Sequence, residues 1–203
     1  MESNTTILNK YLKGLVNRVE LQHCMAVGIA NLLDENKEQD TEEKLLLIYG
    51  IEVFLNEFLK IAFAWILGGI LGVFPLVMFG TAYLMLLRRY AGGKHFSSNG
   101  ACFAFSVFTL VPVPMVGFHV QLPFVIQLGS VLLEATLFLV YSPAKVRLAI
   151  SEKDRKIRKR KTLSIYVCGL CFAYFLGGEG YVNAMLLIGL IAAFAVVEKR
   201  QRH

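Results

Sequence analysis

LPFVIQLGSVLLEATLFLVY, residues Leu122–Tyr141, is apolar from end to end apart from Glu134 and a few small or uncharged polar side chains. Wound as a helix it is about 30 Å long, the thickness of a bilayer's hydrocarbon core. The segment that follows reverses the chemistry: Lys145 to Lys161 holds nine of the chain's 21 Lys and Arg. A long apolar block ending on a basic segment is the signature of a membrane span with a cytoplasmic end.

Working outward, the pattern repeats. Apolar blocks occupy approximately 45–67, 70–88, 100–117, 122–141, 163–178 and 181–197, with the last two at the short end of what crosses a bilayer. Gly68-Gly69 parts the first two, Pro75 kinks or starts the second, and Pro112, Pro114 and Pro123 punctuate the third and fourth. The chain is 56% hydrophobic with a mean hydropathy of +0.56, high for a water-soluble protein. Its net charge of +6 is not a nucleic-acid signal, because most of the cations stand at block ends. Loops 68–73, 117–122 and 177–181 contain no Lys or Arg, whereas 89–99, 142–162 and the tail after 197 are basic. The expectation is an all-α integral membrane protein, one domain over 1–203, with six transmembrane helices over 45–197. Both termini and the 89–99 loop then face the cytoplasm, and 198–203 is a basic tail. Residues 1–44 add a cytoplasmic amphipathic helix over 4–33, with Leu8, Tyr11, Leu12, Leu15, Val16 and Val19 on its apolar face, and a charged turn from Asp34 to Lys44. Such a helix lies in the bilayer interface or packs on the bundle. The start Met1-Glu-Ser-Asn-Thr-Thr6 has no basic n-region before an apolar core, so no cleaved signal peptide is expected.

Chemistry concentrates in Arg88-Arg89-Tyr-Ala-Gly92-Gly93-Lys-His95-Phe-Ser-Ser-Asn-Gly100-Ala-Cys102. Cys102 opens an apolar block, and a helix N-terminus favours the thiolate, the nucleophilic form. His95 can take the thiol proton and later return it to a leaving amine. On one straight helix the two would stand roughly 10 Å apart along the axis, too far for a hydrogen bond. Ser97 to Gly100 is therefore expected to be a turn that folds His95 back, and its composition suits a turn and an N-cap. Gly92 and Gly93 let backbone come close to a substrate. The plainer reading is a Cys and a His that serve packing and interface polarity. No metal is expected, since no third or fourth zinc ligand is evident.

The segment resembles the accessory gene regulator protein B family of bacterial membrane peptidases, which mature a quorum-sensing peptide. The family pattern is an Arg-rich span end, a Gly-rich turn, a His, six residues and a Cys, and Arg88, Arg89, Gly92, Gly93, His95 and Cys102 stand in that arrangement. Gly50-Ile-Glu52-Val with Asn56, and Tyr141-Ser-Pro143-Ala before the basic segment, extend the likeness over nearly the whole chain. The resemblance implies a cysteine endopeptidase with His95 and Cys102 as its catalytic pair and no cofactor. Its partner would be the autoinducer's precursor peptide, cleaved to an acyl-enzyme thioester that a thiol within the peptide displaces to close a ring. Arg88, Arg89, Gly92 and Gly93 are the candidate peptide-binding residues. Membrane lipids are the other expected partner. A homodimer is compatible with such a protein, though no residue specifies one.

Glu52, Asn56 and Lys60 share one face of the first span, and Glu57 is placed to pair with Lys60 at i+3. Ionisable groups in a span face the protein interior or a cavity. Glu52 is thus a candidate to orient His95 or line the peptide site, or else makes a helix–helix contact; the family often carries Gln there. Ser106, one turn beyond Cys102, and Glu134 are further candidates, with backbone bonding and a buried contact as their plainer readings. Cys168-Gly-Leu-Cys171 reads as packing, as does Cys24 beside His23. The run Lys153–Lys161 fits topology and contact with anionic lipid. A transporter or exporter with Glu52, Asn56 and Lys60 along its path is the competing reading, and a non-catalytic membrane scaffold is a third. The transporter reading predicts flux that survives Cys102→Ala and fails in Glu52→Ala.

Overall fold

A computed structural model describes residues 23–32, 41–93, 99–144 and 151–201. These form α1 (His23–Leu32), α2 (Thr41–Ile70), α3 (Phe74–Ala91), α4 (Asn99–Leu110), α5 (Pro112–His119), α6 (Phe124–Tyr141) and α7 (Glu152–Gln201). No strand occurs among the described residues. The protein is an all-α membrane protein. Among the described residues four helices are long and apolar enough to cross a bilayer: Glu43–Ile70, Gly100–His119, Phe124–Tyr141 and Glu152–Val197. α3 has 18 residues but ends on Arg88 and Arg89. Most of the expected amphipathic helix, including Leu8 to Val19, lies outside the described residues. Its end, α1, buries Ala26 and Ala30 and exposes Met25, Ile29 and Leu32.

The distribution of side chains is that of a protein solvated by hydrocarbon. Phe124, Val125 and Phe175 are 73%, 78% and 84% exposed, while Thr81, Thr109, Asn183, Lys60 and Glu134 are buried alongside an apolar core. Lipid tails are as apolar as leucine, so apolar burial alone does not drive helices together there. Close packing at small residues and hydrogen bonds does.

The chain divides into two compact units, Met1–Lys60 and Ile61–His203. Within the first, the His23 Nδ1 of α1 donates to Glu52 Oε1 of α2 at 2.5 Å, and Lys60 Nζ donates to Glu57 Oε1 at 2.7 Å, the expected i+3 pair.

In the second unit, α2 runs through Gly68-Gly69 and turns at Gly72, whose φ of 72° only glycine adopts at no steric cost. Val73 N–H donates to Gly68 O at 2.8 Å and α3 begins directly, with Pro75 in its first turn where a missing N–H is harmless. The block 100–117 divides into α4 and α5 at Pro112, which cannot continue the helical hydrogen-bond ladder. α7 is interrupted at Gly177 and Gly178, the latter at φ 66°. A Cβ added at Gly189 would stand 3.4 Å from the Tyr166 ring. The two arms of α7 therefore fold back on one another, which separates the blocks 163–178 and 181–197 where the glycines stand.

α3, α5 and α6 all pack on α7, around Leu87, Phe138, Tyr166, Met185 and Ile188. Asn183 on the second arm ties the α5–α6 link to this core. Its Nδ2 donates to Val120 O at 2.8 Å, and its Oδ1 accepts from Gln127 Nε2 at 3.0 Å. Asn183 is 1% exposed, so its removal strands buried partners. Asn183→Ala is expected to cost about 1–3 kcal/mol, read as a lower melting temperature in detergent. An unchanged melt would show the link to be held elsewhere.

Candidate active site

α3 ends where its apolar run meets Arg88 and Arg89. Gly92 closes the helix: its N–H donates to Arg88 O at 3.0 Å and its φ is 79°. A side chain at Gly92 would also meet Ala144, with a Cβ 3.1 Å from the Ala144 Cβ. The two segments are joined directly, because Ala144 N–H donates to Ala91 O at 2.8 Å. The end of α6 is in turn fastened to α7 through Ser142 Oγ and Thr162 Oγ1, 3.2 Å apart, with Thr162 Oγ1 donating to Arg158 O. The ends of α3 and α6 and the N-terminal part of α7 thus hold the chain that leads into the His95 segment. Gly93 is buried, near the Arg88 side chain. Residues 94–98, His95 and the Ser97–Ser98 part of the expected turn among them, lie outside the described residues.

The chain is described again from Asn99, and Cys102 occupies the first turn of α4, half-buried. Ser106, one turn on, is 7% exposed. Phe103, beside Cys102, packs its ring on Phe63 at 5.3 Å, anchoring the start of α4 against the end of α2. None of the four cysteines is in a disulfide, and Cys24, Cys168 and Cys171 are exposed. Glu52 takes His23 as its partner, an interaction between residues far apart in sequence that no local pattern announces. Asn56 is half-buried on the same helix.

Glu134 is fully buried, and a Cβ at Gly189 would fall 2.2 Å from its Oε2. The carboxylate therefore lies against bare backbone of α7, beside Tyr166. A lone acid in an apolar block was the only sequence sign of this arrangement. A second feature had no sign in any single segment: a cleft of about 490 Å³ between the end of α3 and the first turns of α7, lined by Arg89, Tyr90, Ser151, Asp154, Arg158 and Lys161.

An all-α membrane protein with a cysteine in the first turn of a helix, beyond an Arg- and Gly-bearing helix end, is the class this fold and site define. The chain matches the family described as Accessory gene regulator B over residues 26–197. It belongs to that family, and so to the accessory gene regulator system. It is 27% identical over 166 residues to Accessory gene regulator protein B of Staphylococcus carnosus (strain TM300), covering 80% of this chain and 84% of that one. The protein of the same name from Staphylococcus saprophyticus is 25% identical over 161 residues, covering 79% and 85%. That from Staphylococcus aureus (strain MRSA252) is 22% identical over 165 residues, covering 80% and 86%. No solved structure matches the chain.

Proposed function

We propose that this protein is a cysteine endopeptidase of the bacterial cell membrane, which cleaves the precursor of a quorum-sensing autoinducer peptide and cyclises it through an acyl-enzyme thioester. The observation that carries the reading is the family match across 26–197, a span within which His95 and Cys102 fall. Cys102 Sγ attacks the scissile carbonyl carbon after His95 takes its proton. The C–N bond then breaks, and His95 returns the proton to the departing amine. A thiol within the bound peptide next gives its proton to His95 and attacks the thioester carbonyl, the ring closes, and Cys102 leaves as a thiolate. One thioester replaces another, so the exchange is nearly balanced in energy. Water would discard the activated bond, and a half-buried thiol at the bilayer boundary limits its access. Glu52, Asn56 and Ser106 are the supporting candidates, with Gly92, Gly93, Arg88 and Arg89 receiving the peptide. Six spans, with both termini and the His95 loop cytoplasmic, complete the proposal, and a homodimer accommodates it.

The acyl-enzyme supplies the test. Incubation of the purified chain with a precursor peptide whose internal Cys is replaced by Ala leaves the intermediate without its ring-closing thiol. Mass spectrometry is expected to find a peptide adduct on Cys102 that hydroxylamine removes. Cleavage with no such adduct, or an adduct on another cysteine, overturns the mechanism.

A further inference from the structure

α3 and α7 pack together and leave the apolar layer side by side. On α7 the change is abrupt: Thr162 and Tyr166 are fully buried, while Arg158 and Lys161 are exposed. From Leu163, where the apolar run begins, Lys161 is about 3 Å and Arg158 about 7 Å along the axis. The headgroup layer on each side of a bilayer is roughly 5–8 Å thick. Arg158 and Lys161, with Arg89 in the last turn of α3, thus stand at the depth of lipid phosphates.

They also share one cavity. The cleft of about 490 Å³ takes Asp154, Arg158 and Lys161 from a single face of α7, spaced i, i+4, i+7, and Arg89 and Tyr90 from α3. Lys161 Nζ lies 5.1 Å from the centre of the Tyr90 ring, which fixes the ammonium across the gap between the helices. Other cations of the same run, Lys156 and Arg160 among them, do not line the cleft. A charged stretch that serves topology alone has no reason to gather three cations around a cavity between two helices.

We propose that this cleft holds the phosphate of an anionic phospholipid headgroup, with Arg89, Arg158 and Lys161 as its cationic partners. Guanidinium groups meet phosphate oxygens in a bidentate fork, and the ammonium adds a point charge. Asp154, Ser151 and the apolar Ile157 complete the lining. A carboxylate there disfavours a second negative charge and accepts from hydroxyls, so a phosphodiester monoanion with a hydroxylated head, such as phosphatidylglycerol, fits best. The assignment requires no peptidase step; it takes Arg89 for the lipid and leaves Arg88, Gly92 and Gly93 to receive the peptide.

The test uses the full chain in nanodiscs of phosphatidylcholine doped with phosphatidylglycerol, with retained lipid counted by native mass spectrometry. The parent is expected to enrich phosphatidylglycerol, and Arg158→Gln with Lys161→Gln to lower its retention about tenfold. Lys156→Gln with Arg160→Gln removes the same charge outside the cleft and is expected to change retention less than about twofold. Arg158→Lys with Lys161→Arg keeps both charges and is expected to restore retention, which separates a lost site from a folding defect. Equal losses from the two Gln pairs overturn the proposal. Displacement of the lipid by equimolar inorganic phosphate overturns it in favour of a soluble-anion site, and preferential capture of a Glu-rich peptide overturns it in favour of a peptide site.

Discussion

Cys102→Ala is expected to reduce cleavage of the cognate precursor by at least about a thousandfold, with the protein still folded and membrane-inserted. Removing a catalytic nucleophile leaves only what binding and polarisation supply, and such losses reach about 10⁶-fold in a well-studied serine protease. The side chain is half-buried in the first turn of α4, and Ala keeps its Cβ and its helix preference. The thermal melt should therefore move little while activity disappears. The measurement is the appearance of the two product peptides by mass spectrometry, in membranes containing either protein. Ser106→Ala serves as the contrast, since a hydroxyl one turn away that only supports the site costs far less than the nucleophile. Precursor processing that persists at the parent rate in Cys102→Ala would end the peptidase assignment at this residue. The same assay on His95→Ala examines the general-base role, where an unchanged rate would remove it.

Gly117→Ala is the substitution expected to harm the fold most. A Cβ at Gly117 would stand 2.7 Å from the Ala184 Cα, 2.9 Å from its N and 2.9 Å from Asn183 O. All three are backbone atoms of α7, so no side chain can swing aside and the helices must separate. The strain is about 1–3 kcal/mol from overpacking alone. Separation adds the loss of the Asn183 hydrogen bonds to Val120 O and Gln127, which begin one residue away. In hydrocarbon no solvent term pulls α5 back onto α7, so the close approach is itself the stabilising interaction. Gly129→Ala is the control, because nothing lies within 4 Å of a Cβ there. Thermal unfolding in detergent should drop sharply for Gly117→Ala and stay close to the parent, within about 0.5 kcal/mol, for Gly129→Ala. Equal melting temperatures would mean that α5 does not meet α7 at this crossing.

The membrane class was legible because hydrophobicity is a property of each residue summed over a window, and Leu122–Tyr141 carries it without help from any other part of the chain. A helix start was legible at Pro75, where Pro sets backbone geometry. Pro112, by contrast, was read as punctuation inside one block and proved to divide it into α4 and α5, and the Gly177-Gly178 break was legible only as a gap between two apolar blocks. Gly68-Gly69 misled by a few residues, since two glycines permit a turn without requiring one. The helix continues to Ile70 because Gly68 instead makes room for Val77, whose Cγ2 would be 2.9 Å from a Cβ there. At the site, the Arg, Gly, His and Cys pattern could be read because its members are near in sequence.

What sequence alone determined, then, is an all-α membrane chain, its apolar blocks, and the family to which the His95–Cys102 segment belongs. All of these follow from residue chemistry within short windows. Tertiary structure decided which distant groups meet. Glu52 takes His23, the Gly92 turn locks onto Ala144, Glu134 lies in the notch that Gly189 leaves, and Arg89 joins Arg158 and Lys161 around one cleft. These pairings depend on how helices cross, and crossings are set by the summed packing of small and large side chains along whole faces. No short window contains that sum.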